Sequence, residues 1–151
     1  MSSLSATARP SAIPIADGRH AGLLLLRVAL ATMWISHGLL KLVVFTLPGT
    51  VAFFESKGIP GALVYLVVPL EIAGGLAILF GIYARQVSLL LLPILIGALW
   101  THLPNGWVFT ATGGGWEYPL FLIVASLVSW LSGDGGHALR PSTRFTVEPR
   151  A

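Results

Sequence analysis

The sequence predicts an all-α protein, a membrane-spanning four-helix bundle with both termini cytoplasmic. Three observations lead there. Only 10% of the 151 residues are charged and 55% are hydrophobic, whereas an average soluble domain is about a quarter charged. Mean hydropathy is +0.83. The apolar residues also fall into four separate stretches, each close to the ~20 helical residues that cross a ~30 Å hydrocarbon core. Nine Lys/Arg and six Asp/Glu are too few to cover a soluble surface, and the hydrophobicity excludes disorder.

Residues 1–20 are polar, with Arg9, Asp17, Arg19 and His20, and read as an N-terminal tail. No apolar core precedes Ala6-Thr7-Ala8, so a cleavable signal is not indicated and the first helix is expected to stay in the protein. The first stretch is Ala21–Phe45. Leu47-Pro48-Gly49 and Gly58-Ile59-Pro60-Gly61 then bracket a loop with helix-stopping residues. The second stretch, Ala62–Gly81, contains Pro69, whose ring frees the Tyr65 carbonyl and bends the helix beside Glu71. A short turn, Gly81-Ile82-Tyr83-Ala84-Arg85, makes the second and third helices antiparallel neighbours. The third stretch is Gln86–Leu103, with Pro93 as a second bend. Pro104-Asn105-Gly106 and Gly113-Gly114-Gly115 bound the next loop, and Glu117–Ser132 forms a fourth stretch, about one turn short of a full crossing. The bundle thus occupies residues 21–136, and residues 137–151 form a basic C-terminal tail.

Lysine and arginine set the orientation. Arg9, Arg19, Arg27, Arg85, Arg140, Arg144 and Arg150 fall on one face of four spans, against Lys57 alone in the opposite loops. That bias places both termini in the cytoplasm and makes Trp100, Trp107 and Trp116 an aromatic belt at the outer interface. Small residues four apart suit close helix packing: Thr32 and Ser36, Ala73 and Ala77, Gly97 and Thr101, Ala125 and Ser129.

A charge inside a membrane costs roughly 2.5–3.5 kcal/mol and therefore needs a reason. On the first helix Arg27, Trp34, His37 and Lys41 share an arc of about 80°, which should face the bundle. Glu71 is the single acid in the second. By depth it lies level with His37, within reach of Lys41, so its partner could be His37, Lys41 or Arg27. The structural reading is a charge pair that locks two helices together. The functional reading is a proton- or ligand-handling pocket centred on Glu71 and His37. His102, Asn105 and Glu117 make a second polar group nearer the outer surface.

Other chemistries are not signalled. There is no cysteine, so thiolate zinc sites, iron–sulfur clusters and disulfides are excluded. The four histidines are too dispersed to suggest a metal site. No phosphate loop or dinucleotide fingerprint is present, and no basic stretch interleaved with aromatics suggests nucleic acid.

Several short motifs carry a resemblance. They are Arg27, His37-Gly38-Leu39-Leu40-Lys41, Glu71-Ile72-Ala73-Gly74-Gly75-Leu76, the Gly81–Arg85 turn, His102 with Asn105-Gly106, Glu117-Tyr118 and Gly133-Asp134-Gly135. In this order, from about Leu23 to Gly136, they resemble the DoxX family of small membrane proteins. One departure is Gly133-Asp134-Gly135, where family members often carry Gly-Pro-Gly. The family is named for a subunit associated with a terminal quinol oxidase. Its members are linked to thiosulfate–quinone oxidoreduction, oxidative stress and resistance to quinone-like compounds.

The resemblance implies a redox-associated role in a bacterial cytoplasmic (inner) membrane, either as a membrane oxidoreductase or as an accessory subunit of one. The leading expectation is a bound quinone or similar lipophilic molecule, with Glu71 and His37 as catalytic proton carriers and Arg27, Trp34, Lys41, His102 and Glu117 as cofactor-binding residues. Expected partners are the lipid bilayer, a soluble redox enzyme or respiratory subunit, and further copies of the chain. The competing expectations are a non-catalytic membrane scaffold and a small transporter or efflux component.

Overall fold

The structure, a computed structural model, describes residues 15–143, with side chains from Gly18 onward. Arg9, Arg144 and Arg150 lie outside the described residues.

Helix α1 spans Ile15–Leu39. It begins six residues before the expected first stretch, inside the segment read as a tail. The loss of apolar residues marks where lipid ends, and a polar turn can continue the same helix past that point. At its other end α1 passes into a π-helical turn, Leu40–Val44, closed by Phe45 N–H donating to Leu40 O over 2.9 Å.

The bracketed first loop is not a loop, because Leu47–Ser56 forms helix α2. Pro48 lies in its first turn, where the missing N–H removes no intrahelical bond. The Thr46 side chain caps that turn by accepting from Gly49 N–H.

Helix α3 covers Val64–Phe80, with Pro69 inside it. Gly81, at φ +67°, closes its C-terminus. Gly81 N–H donates to Ile78 O and Ile82 N–H to Ala77 O, the paired bonds of a left-handed glycine cap. The expected third helix is two: α4 (Ala84–Leu90) and α5 (Leu92–His102). The break at Leu91 precedes Pro93, which cannot continue the hydrogen-bond ladder. Helix α6 is Glu117–Ser132, as expected. Among the described residues there is no strand, only an isolated bridge between Ile82 and Arg140.

The outside is largely apolar, and several charged and polar side chains lie inside. Leu25, Val43, Leu66, Leu90 and Phe121 point outward, whereas Arg27, Glu71, Arg85, Ser88 and Ser126 are buried. An apolar surface this extensive calls for an apolar surrounding. Three segments are long and apolar enough to cross a membrane, Gly18–Val44, Gly61–Phe80 and Ala84–Asn105, and α6 is a shorter apolar helix. Around the core of Leu30, Trp34, Ile78, Leu91 and Leu122, α6 lies against α1, α4 and α5.

Glycine brings α1 and α3 together. A Cβ on Gly75 would lie 2.8 Å from Ile35 Cγ1 and 3.0 Å from Trp34 Cβ, and one on Gly38 would lie 2.6 Å from Ile72 Cγ1. The small residues expected to pack behave differently: Thr32, Ser36 and Ala73 face outward, while Ala125 and Ser129 are buried. We expect Gly75→Val to destabilise the bundle by about 1–3 kcal/mol through overpacking. Gly97→Val should leave the melting temperature in detergent near wild type, because a Cβ on Gly97 meets nothing within 4 Å.

Candidate functional site: a buried ion pair between two helices

The π-turn carries Lys41 to α3. Its ammonium donates to both Glu71 carboxylate oxygens, at 2.8 and 2.9 Å, and Glu71 is 2% exposed. The Lys41 carbonyl accepts from Thr50 Oγ1 at 3.3 Å, which ties α2 to the turn. Gly38 permits the approach, since a Cβ there would sit 3.3 Å from Glu71 Cβ. Of the three candidate partners for Glu71, the structure pairs it with Lys41.

His37 lies one turn earlier and looks toward α6, where its ring stacks on Tyr118 with centroids 6.1 Å apart and planes at 25°. Equal depth did not make His37 and Glu71 partners, because depth says nothing about which neighbouring helix a side chain meets. Trp34, on the same stripe of α1, is 1% exposed. Its indole N–H has no hydrogen-bond partner among the described residues, unusual for a buried donor.

Arg27 is elsewhere, ten residues down α1 or ~15 Å along its axis. It is 2% exposed, and its guanidinium donates to Ile78 O (3.1 Å), Leu79 O (2.8 Å) and Asp134 O (3.0 Å). Two of these are carbonyls in the last turn of α3, a position that favours a cation. The expected ligand-binding arginine thus spends its donors on the main chain, and Glu71 is not among its partners.

Asp134 completes that end of the molecule. Its carboxylate accepts from Arg85 N–H at 2.8 Å and Ser142 N–H at 2.7 Å, while the Arg85 side chain donates to Trp130 O at 2.9 Å. Sequence reasoning noted Asp134 only as a departure from a family motif. The available signal was an acid bracketed by glycines directly after a helix. Here too Gly136 N–H donates to His20 Nδ1, at 2.9 Å, so the end of α6 returns to the start of α1.

The second polar group shapes a loop. His102 Nδ1 lies 3.0 Å from both Gly113 O and Gly114 O. Two acceptors there require Nδ1 to carry the hydrogen. Asn105 Nδ2 donates to the same two oxygens, and Glu117 Oε1 accepts from Phe109 N–H at 2.6 Å. His102 and Glu117, expected to bind a cofactor, fasten residues 106–116 and are not hydrogen-bonded to the Lys41–Glu71 pair. Trp107 and Trp116, two of the predicted belt residues, meet edge to face at 4.4 Å. Among the described residues no three His, Cys, Asp or Glu groups gather to hold a metal.

Two open grooves flank this architecture. One, of about 440 Å³, runs beside Pro69 between Leu42, Tyr65, Val68 and Ile72. The other, of about 460 Å³, is formed by Trp107, Phe109, Glu117, Tyr118 and Phe121 with their neighbours.

Two named relatives and one family model match the chain. "Putative oxidoreductase CatD" of Bacillus subtilis (strain 168) is 34% identical over 121 residues, which is 80% of this chain and 85% of that protein. "Inner membrane protein YqjF" of Escherichia coli (strain K12) is 38% identical over 68 residues, 45% of this chain and 51% of its own length. No solved structure matches. The DoxX family model matches residues 22–104, more than half the chain and including Arg27, Lys41, Glu71 and Arg85, and the chain belongs to the DoxX family.

Proposed function

We propose that this protein is a redox-associated subunit of the bacterial cytoplasmic membrane that binds a quinone or similar lipophilic molecule beside the Lys41–Glu71 pair. In this reading α6 is the fourth crossing. It runs from the level of His37, through the Tyr118 stack, to the level of His20, through Gly136, and its outward residues Phe121, Val124, Val128 and Leu131 are apolar and exposed. Arg19, Arg27, Arg85 and Arg140 gather at one end through contacts with Ser132, Asp134, Trp130 and Tyr83, which favours that end, and both termini, as cytoplasmic.

The observation that carries the reading is the stripe of Trp34 and His37 on α1 and Lys41 in the π-turn that follows it. It combines a buried indole donor without a partner, an imidazole, and a charge pair able to pass a proton. Such groups fit a flat molecule with acceptor oxygens. When bound, a quinone supplies two-electron chemistry. The chain would donate a hydrogen bond from Trp34 Nε1 and hold a proton at His37 or Glu71. The names of the relatives support a membrane redox setting, one being named an "inner membrane protein" and the other a "putative oxidoreductase".

Binding of a short-chain quinone to the purified protein, followed by tryptophan quenching, tests this. Glu71→Gln should weaken binding about tenfold, equivalent to roughly 1.4 kcal/mol, with helicity retained. Equal affinity in a folded Glu71→Gln protein would overturn the reading. The mutual satisfaction of Lys41 and Glu71 favours a second reading, a scaffold that only locks helices. That reading predicts that the exchanged pair Lys41→Glu/Glu71→Lys restores the stability lost in either single variant, and that the wild-type protein binds no quinone at this pair.

A further inference from the structure

The groove beside the 106–116 loop has a composition that the quinone reading leaves unused. Glu117 is the single charged residue among those that line it, which include the aromatic residues Trp107, Phe109, Tyr118 and Phe121. Its carboxylate forms no ion pair among the described residues. Aromatic faces around one carboxylate are the arrangement that recognises an ammonium group, by cation–π attraction and charge.

The arrangement is built in advance. Glu117 N–H donates to Trp107 O and Trp116 N–H to Gly106 O, both at 3.1 Å. Phe109 N–H returns a bond to the Glu117 carboxylate. Gly115 lies so close to the Trp107 and Val108 carbonyls that a Cβ would collide with both. His102 and Asn105 hold the opposite side of the loop through Gly113 and Gly114. The loop backbone that carries Trp107 and Phe109 is therefore fixed by main-chain bonds.

An exposed apolar stripe leads away from the groove along the helix. Phe121, Val124, Val128 and Leu131 form one exposed apolar stripe on α6, spaced three or four residues apart as one helix face requires. From Phe121 to Leu131 the stripe is ~15 Å long, about half of a ~30 Å hydrocarbon core and thus one leaflet deep. A carboxylate among aromatic side chains in an open groove, leading into an apolar track of leaflet depth, matches an amphiphile with a cationic head. We infer that this groove binds the ammonium headgroup of a phospholipid, with an acyl chain along α6. The inference needs α6 to meet a membrane interface at Glu117. It does not need a quinone at Lys41–Glu71.

The test uses the full chain in vesicles of equal parts phosphatidylethanolamine and phosphatidylglycerol, extracted gently and analysed by mass spectrometry for retained lipid, without quinone. Wild-type protein should retain the ethanolamine lipid over the glycerol lipid about threefold or more. Glu117→Gln, which keeps an oxygen for Phe109 N–H, should bring the ratio to one, with circular dichroism verifying the fold. Phe121→Leu, which leaves the loop untouched, should lower it. Retention in the vesicle ratio by wild type overturns the inference, and so does a preference that survives both variants. Binding of a soluble tetraalkylammonium salt without lipid preference also overturns it, assigning the groove to free organic cations. Because quinone binding is read separately in Glu71→Gln, either reading can fail without the other.

Discussion

Replacing Lys41 with methionine should destabilise the folded bundle by about 3 kcal/mol, in the range seen when one partner of a buried ion pair is removed. The loss is larger than a surface salt bridge could give. Glu71 has no other hydrogen-bond donor among the described residues, and both its oxygens face the Lys41 ammonium. Without Lys41 its carboxylate stays among apolar helices. Lys41 itself is 18% exposed, which keeps the figure at the lower end. Lys41→Met/Glu71→Met should be less damaging than either single change, because an apolar pair leaves no orphaned charge. Thermal unfolding in detergent, followed by circular dichroism, gives the comparison. Wild-type stability in both single variants would show that the pair does not hold α1 to α3.

The second large effect belongs to Arg27. Arg27→Leu removes three hydrogen bonds and leaves three main-chain carbonyls without that donor, on Ile78, Leu79 and Asp134. Hydrogen bonds from a charged group are worth about 1.5–3 kcal/mol each. Because such losses are not additive, a total of about 3–5 kcal/mol is expected. Arg27→Lys should recover little, since one ammonium cannot reproduce a planar fork that reaches three acceptors. Limited proteolysis gives an independent check. The segment 133–143 should become accessible in Arg27→Leu while the stretch around Lys41 stays protected, and unchanged cleavage would mean that Arg27 does not anchor it.

The apolar stretches and the buried stripe of α1 were legible because lipid imposes a length and burial imposes a 3.6-residue period. Glu117–Ser132 needed nothing more. Pro48 misled because proline has two meanings: it stops a helix from within and starts one from its first turn. Proline also hid the division of α4 from α5, since a bend and a break have the same local signature. The π-turn has no composition of its own, and Leu40–Val44 reads as ordinary helix. Glu71 was recognisable as buried and paired, but its partner depended on where the π-turn aims Lys41. Asp134 was obscured by location, lying beyond the last helix, where no periodicity points to it.

The bonds of Arg27 also bear on how the chain is made. Its acceptors lie 51, 52 and 107 residues further along. At roughly 5–20 residues synthesised per second, the last of them emerges about 5–20 s after Arg27 itself. The first helix therefore enters the bilayer with a guanidinium whose protein partners do not yet exist. Until α3 arrives, that group must be served by water or lipid headgroups at the membrane edge. Of the three bonds that hold this guanidinium, the one to Asp134 is the last that synthesis makes available.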